Sequence, residues 1–225
     1  MRQIRQLIAQ KGDFVSHYTL SQSDLIQDLS INFDKDTSRV GVFFNGGLNS
    51  TVLLYALLLE REKAGYEIEI TALTVAKVAA EKFSHSLLQD LQKKFGPLNH
   101  QVNIDNEGSP FGRITSAIQK KLRSHEFDCI YTGLAATPPA SRFFSEFGEA
   151  PIRPVASPHP TLKLPFLNLY KSHIVELSQI LNIQDLVAMT HSCTELLSER
   201  CRFCFACDER AWSFRENGMR DPGRL

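Results

Sequence analysis

The sequence predicts an α/β fold: a doubly wound parallel sheet followed by a C-terminal segment able to hold a metal. Three observations carry that prediction. The run Val40 to Phe44 is too densely apolar for a half-exposed strand and reads as one buried on both faces, as in a parallel sheet. Strand-length apolar runs then alternate with helical periodicity as far as Thr132. Four of the five cysteines fall between Cys193 and Cys207.

Composition sets the outer bounds. A chain of 225 residues can fill one good domain with a small appendage, and 43% hydrophobic with 22% charged residues is ordinary for a globular protein. Lysine plus arginine balances aspartate plus glutamate at 25 each. No global field therefore attracts nucleic acid or membrane, although a local basic groove stays open. No apolar run reaches the length of a membrane span, and the opening MRQIRQLIAQKGD lacks the apolar core of a signal peptide. The expected compartment is the cytoplasm.

In chain order, residues 1–37 are polar, with Ile4, Leu7 and Ile8, then Leu25, Ile26 and Leu29, at helical spacing. Ser21 to Asp24 could start the second helix, so a helical extension over 1–37 is expected. After the first strand, Gly46-Gly47 opens backbone conformations closed to other residues. A helix follows from Leu48 to about Lys63, with Leu53, Leu54, Leu57 and Leu58 on one side. Glu67 to Val75 reads as a second strand. Ala79 to Phe95 reads as a helix with Phe83, Leu87, Leu88 and Leu91 inward, ended by Gly96-Pro97. His100 to Ile104 is a third strand, Ile114 to Leu122 a helix, and Phe127 to Thr132 a fourth strand stopped at Gly133. Such sheets bind ligands beyond the carboxyl ends of their strands, so the loops after Phe44, Val75, Ile104 and Thr132 should line one site.

Residues 134–169 are rich in proline, as a lid or binding segment would be. Arg142 within them could face a ligand; an exposed or core-capping arginine is the alternative. Lys171 begins a helix running to Leu181. A lysine in a first turn opposes the helix dipole, which suggests a bound anion nearby.

Two stretches carry chemistry. Strand, glycine turn and helix start at Val40 to Thr51 present free backbone N–H groups at the positive end of a helix, ringed by Asn45, Asn49, Ser50 and Thr51. A phosphate is the natural guest, and a turn with glycines only for geometry is the alternative. The spacing is neither that of a Walker loop nor of a Gly-x-Gly-x-x-Gly fingerprint. Farther on, Cys193, Cys201, Cys204 and Cys207 offer four soft ligands in chelating turns. Four thiolates suit tetrahedral zinc in a closed, structural site, with an iron–sulfur cluster as the rival. Arg200, Arg202, Arg210 and Arg215 would offset the charge. Cys129 lies among apolar neighbours and reads as core. His191 is either a site residue or a satisfied structural histidine.

Asn-Gly-Gly-Leu-Asn-Ser at 45–50 resembles the PP-loop of the ATP pyrophosphatase superfamily, usually Ser-Gly-Gly-x-Asp-Ser, with asparagine replacing both its first serine and its aspartate. Together with Thr190 to Cys193, Cys201, Cys204, Cys207, Arg210, Phe214 and Gly218, and with Pro165-Phe166, Lys171 and Ile174-Val175 between, it resembles the 7-cyano-7-deazaguanine synthase family. The similarity spans about residues 38–219. The resemblance implies an adenine-nucleotide α-hydrolase-like, Rossmann-like fold, with a nucleotide-binding domain at 38–185 and a zinc-binding segment at 186–225 packed on it. It implies conversion of 7-carboxy-7-deazaguanine to its amide and nitrile with ammonia and ATP, releasing AMP and pyrophosphate, with zinc and Mg²⁺ bound.

By the same resemblance, Asn45, Gly46, Gly47, Leu48, Asn49, Ser50 and Thr51 would hold the phosphates, with Val75 and Gly133 lining the nucleotide pocket. Asn49, Ser50 and Lys171 would act on the reacting groups, Arg142 on the deazapurine, and a homodimer is one assembly open to such a chain. Two departures stand out. Asn49 lacks the charge that could hold Mg²⁺, and Gly133 to Pro139 lacks an acidic residue. A PP-loop enzyme for another carboxylate or an RNA, and a nucleotide- or deazapurine-binding protein without turnover, are the competing readings.

Overall fold

A computed structural model describes residues 16–21, 26–65, 67–75, 78–103, 110–138, 159–194 and 199–223. Its first elements differ from expectation. Two antiparallel strands, β1 (Ser16–Leu20) and β2 (Gln27–Ile31), stand where helices were expected, while 1–15 and 22–25 lie outside the described residues. The helical spacing of Ile26 and Leu29 is outweighed by a period of two. Leu20, Leu29 and Ile31 enter the core, whereas Ile26 is 74% exposed. On the outer face, paired residues bond directly across: Thr19 to Asp28 at 2.9 Å and Ser30 to His17 at 2.8 Å.

The remaining strands are β3 (Arg39–Phe43), β4 (Glu69–Val75), β5 (Asn99–Asn103), β6 (Cys129–Thr132) and β7 (Leu162–Lys163). All pair in parallel, in the order β5-β4-β3-β6-β7. The chain thus steps from β3 to one side, through β4 and β5, and returns to its other flank as β6. β7 arises within the proline-rich stretch, where two residues give too little periodicity to predict a strand.

The helices are α1 (Leu48–Lys63), α2 (Val78–Phe95), α3 (Pro110–Ser124), α4 (Lys171–Ile180), α5 (Gln184–Met189) and α6 (Phe205–Glu216). They cover both faces, as predicted. On one, Leu87 and Leu91 of α2, Ile174 and Leu177 of α4, Val187 of α5 and Phe214 of α6 join the leucines of α1 in the main core, with the hairpin's Leu20, Leu29 and Ile31. On the other, Ala117, Ile114 and Ile118 of α3 pack on Phe43, Leu73, Val75 and Ile130.

α1 starts at Leu48 and ends at Lys63, but it is not one-sided: Thr51 to Leu58 and Glu60 are all buried. Sheet, hairpin and neighbouring helices enclose it, so its apolar surface runs round the axis. Buried Glu60 accepts hydrogen bonds from the Ser16 hydroxyl and from Lys63, the latter at 2.8 Å. No described helix is long and apolar enough to cross a membrane.

Candidate functional site

The order of strands reverses between β3 and β6, and ligands of open α/β sheets bind in the crevice at that switch point. Here it is built from the loop between β3 and α1 and the segment leaving β6. Gly46 has φ +69, and a Cβ there would come within 2.8 Å of the Phe83 Cβ and the Ser84 nitrogen of α2. Both conformation and space require glycine. Gly47 is the N-cap of α1, and the first intrahelical bond is Thr51 N–H to Gly47 O at 3.0 Å. Among the described residues no acceptor meets the N–H groups of Leu48, Asn49 and Ser50. These donors, with the dipole of a sixteen-residue helix behind them, can accept an anion.

The side chains around the mouth are less free than the sequence suggested. Asn45 Oδ1 accepts from Val75 N–H at 3.0 Å, closing the end of β4. Asn49 Nδ2 donates to Gly133 O at 3.1 Å, while its buried Oδ1 accepts nothing among the described residues. Ser50 and Thr51 hydroxyls turn back onto Gly47 O at 3.1 and 2.8 Å. The Leu48 side chain is core, leaving only its backbone at the mouth, and that of Val75 packs on the α3 face. A Cβ at Gly133 would lie 3.1 Å from Asn49 C and Ser50 N, so glycine there lets the end of β6 press against the start of α1.

Lys171 stands in the first turn of α4, as read from sequence. Its charge is nonetheless matched within the protein: Nζ lies 2.5 Å from Glu209 Oε2, and both side chains are buried. Arg142 falls outside the described residues.

The four cysteines converge. Their sulfurs all lie within 4.8 Å of one another, with Cys201–Cys207 and Cys193–Cys204 at 4.0 Å. Burial pushes the Cys207 thiol up to about 12, helped by the neighbouring Cys204. Burial also opposes ionisation of Cys204, but donors from Thr194 and the Cys207 N–H bring it down to about 6. A metal would displace the protons of the cluster as it binds. These residues can hold a metal ion.

Arg210, one turn beyond Cys207, is fully buried. Burial lowers its pKa, against the pull of Asp221, which it contacts through Nε at 2.9 Å and Nη2 at 3.1 Å. The same guanidinium donates to Thr190 Oγ1 at 2.5 Å, Ser192 Oγ at 3.3 Å and Val187 O at 3.0 Å. Arg200 also pairs with Asp221. Two of the arginines assigned by sequence to the thiolates therefore serve this carboxylate directly. Sequence reasoning missed Phe83 as part of the site: its ring stacks on His191 at 4.5 Å and 3°. It also missed the His191 N–H, which donates to Gly46 O at 2.9 Å.

No family model and no curated protein matches this chain. Among solved structures it is similar to the U34-tRNA thiolase NcsA from Methanococcus maripaludis, described with its [4Fe-4S] cluster, at 12% identity and a TM-score of 0.43. The match covers 78% of this chain and 63% of that one, so the chain spans less than two thirds of that protein's length.

Proposed function

We propose that this chain is an ATP-dependent enzyme of the PP-loop type that activates 7-carboxy-7-deazaguanine for reaction with ammonia. The observation that supports it most is the row of uncommitted N–H donors at the start of α1, placed where the strand order reverses. In the reaction, the carboxylate attacks the α-phosphorus of ATP, forming an acyl-adenylate and releasing pyrophosphate. Ammonia displaces AMP to give the amide. The amide oxygen is then adenylated in the same way, and loss of AMP and a proton leaves the nitrile.

Gly47 to Ser50 would hold the departing pyrophosphate through donors already oriented for it. The half-buried Ser50 hydroxyl, now on Gly47 O, would turn to the same oxygens, whereas Thr51 is fully buried and holds Gly47 O. Asn49 fixes the loop to β6, and Lys171, matched by Glu209, would act as part of a pair rather than as a lone cation. Arg142 is proposed to meet the deazapurine. The loop offers no carboxylate to Mg²⁺, so residues 45–51 do not make a Mg²⁺ site of their own and any such ion would arrive on the phosphates.

The cysteine site is proposed to hold zinc. Around one tetrahedral ion with bonds of about 2.3 Å the sulfurs stand about 3.8 Å apart; here two pairs stand at 4.0 Å and all lie within 4.8 Å. In a cubane each thiolate binds a different corner iron, which spreads the sulfurs farther. A bound zinc would brace the segment and supply no open coordination position.

A second reading, a binding protein without turnover, is favoured by Asn45 and Asn49 both serving strand ends. Turnover of zinc-replete protein with ATP, Mg²⁺, ammonium and 7-carboxy-7-deazaguanine, followed by mass spectrometry, separates the two. Amide or nitrile formed with AMP is the expected result. AMP with unrelated acceptors would mark a different PP-loop enzyme, and ligand binding without AMP a binding protein.

A further inference from the structure

We infer that the cysteine cluster sets the shape of the anion loop through a strap of four residues, Thr190 to Cys193. The inference rests on the anion-binding reading above and adds a coupling between two sites far apart in sequence. One end of the strap is a cluster ligand, Cys193. Its other end and its third residue are tied by Arg210, which reaches Thr190 Oγ1 at 2.5 Å and Ser192 Oγ at 3.3 Å from the helix that begins just after Cys204. Between those ties, His191 N–H donates to Gly46 O at 2.9 Å.

That bond matters because Gly46 holds φ +69. Its carbonyl belongs to the peptide that carries the Gly47 N–H, so holding the oxygen fixes which way that donor points. With the carbonyl bound by the strap, the N–H of the same planar peptide is held pointing away from it, just ahead of Leu48, Asn49 and Ser50 in the chain. The Phe83–His191 stack sets the strap against α2, whose Phe83 and Ser84 leave no room for a Cβ at Gly46. A metal at the four sulfurs would freeze Cys193 against Cys204 and Cys207, and thereby the strap. His191 is thus a positioning residue that acts through its backbone.

The test uses two substitutions at one position. His191→Pro removes the N–H, and Thr190 already has the extended backbone, φ −72 and ψ 146, that a following proline requires. His191→Ala keeps the N–H and removes the ring. Inorganic pyrophosphate affinity of the metal-loaded full chain should fall about tenfold in His191→Pro, the equivalent of one lost hydrogen bond, and clearly less in His191→Ala. Amide exchange at Gly46 to Ser50 should accelerate in His191→Pro and on chelating the metal from the wild type.

Equal affinity and exchange in wild type and His191→Pro would overturn the inference. So would unchanged exchange at the loop in chelated protein that keeps its far-ultraviolet dichroism. If chelation unfolds the chain, the proline variant, with all four thiols intact, decides alone. If the metal-loaded wild type binds no pyrophosphate, the anion reading fails instead, and loop exchange in the proline variant still decides the strap.

Discussion

The two ends of the central sheet treat their backbone donors in opposite ways. At the amino end the Asp128 carboxylate accepts from Ser38 N–H at 2.9 Å, Ser38 Oγ at 2.9 Å and Arg39 N–H at 2.7 Å. Those bonds, led by the Ser38 N–H, hold its pKa near 2 despite partial burial. At the carboxyl end the N–H groups of Leu48, Asn49 and Ser50 meet no acceptor among the described residues, and the nearby amides are turned to strand ends. One aspartate thus closes the start of β3, while the donors at the start of α1 are left to solvent or a ligand. On the function proposed above, the difference is that between a structural closure and an anion seat.

The sharpest challenge to that contrast is Lys171, a cation in a first turn beside the segment leaving β6 (Ala136 N–H to Leu169 O, 2.9 Å). Since Glu209 matches it, Lys171 acts only within that pair, and breaking the pair should first be felt as lost stability. Glu209→Ala, which strands a buried ammonium, should destabilise the fold by about 3–5 kcal/mol, with the double change Lys171→Met, Glu209→Leu recovering most of it. Urea unfolding of the three variants measures this. A double variant still as unstable as the single one would show that the pair has another task.

Gly46→Ala comes next. Gly46 and Gly65 share nearly the same φ, +69 and +70, but a Cβ at Gly65 meets nothing within 4 Å. Gly65→Ala should cost about 1 kcal/mol of backbone strain, and Gly46→Ala about 2–3 kcal/mol together with pyrophosphate binding, read by thermal melts and calorimetry. Equal behaviour of the two would remove the special status of the loop.

Asn49→Asp probes the mouth itself. The change restores the usual PP-loop residue but sets a carboxylate oxygen against Gly133 O, where an N–H now donates at 3.1 Å. Pyrophosphate affinity should fall roughly tenfold. A gain in turnover would instead reveal a loop impaired by its asparagine.

The smallest effect lies at the closed end. A carboxyl with a depressed folded pKa adds stability that is complete above its unfolded value near 3.9 and is lost as pH falls through the folded value near 2. Because Asp128 is partly exposed, its contribution is about 1 kcal/mol after screening. It should fade between about pH 4 and 2 in the wild type and be absent at all pH in Asp128→Asn. Denaturation midpoints over that range would show it.

How much of this was legible in the sequence follows the range of the interactions. Leu48 and Lys63 bound a helix predictable from its leucines, and Gly46 announced its own turn, because both facts are local. The cysteines declared their cluster through chelating spacing, although only coordinates bring Cys193 within 4.0 Å of Cys204. Residues 16–31 misled, since the spacing of Leu25, Ile26 and Leu29 fits a helix, and the alternation that won depends on burial against α1 and α4. The partner of Lys171 lies 38 residues away, and the His191 N–H that holds Gly46 has no side-chain signature at all. Pairings of that kind are decided by packing, which periodicity does not carry.

The central claim, an anion seat at the start of α1, is tested most directly by titrating ¹⁵N-labelled, metal-loaded protein with inorganic pyrophosphate. The account predicts amide shifts concentrated at Gly46 to Thr51 and at Gly133, with the Ser38 and Arg39 amides unmoved. Shifts elsewhere, or none in folded protein, would contradict it.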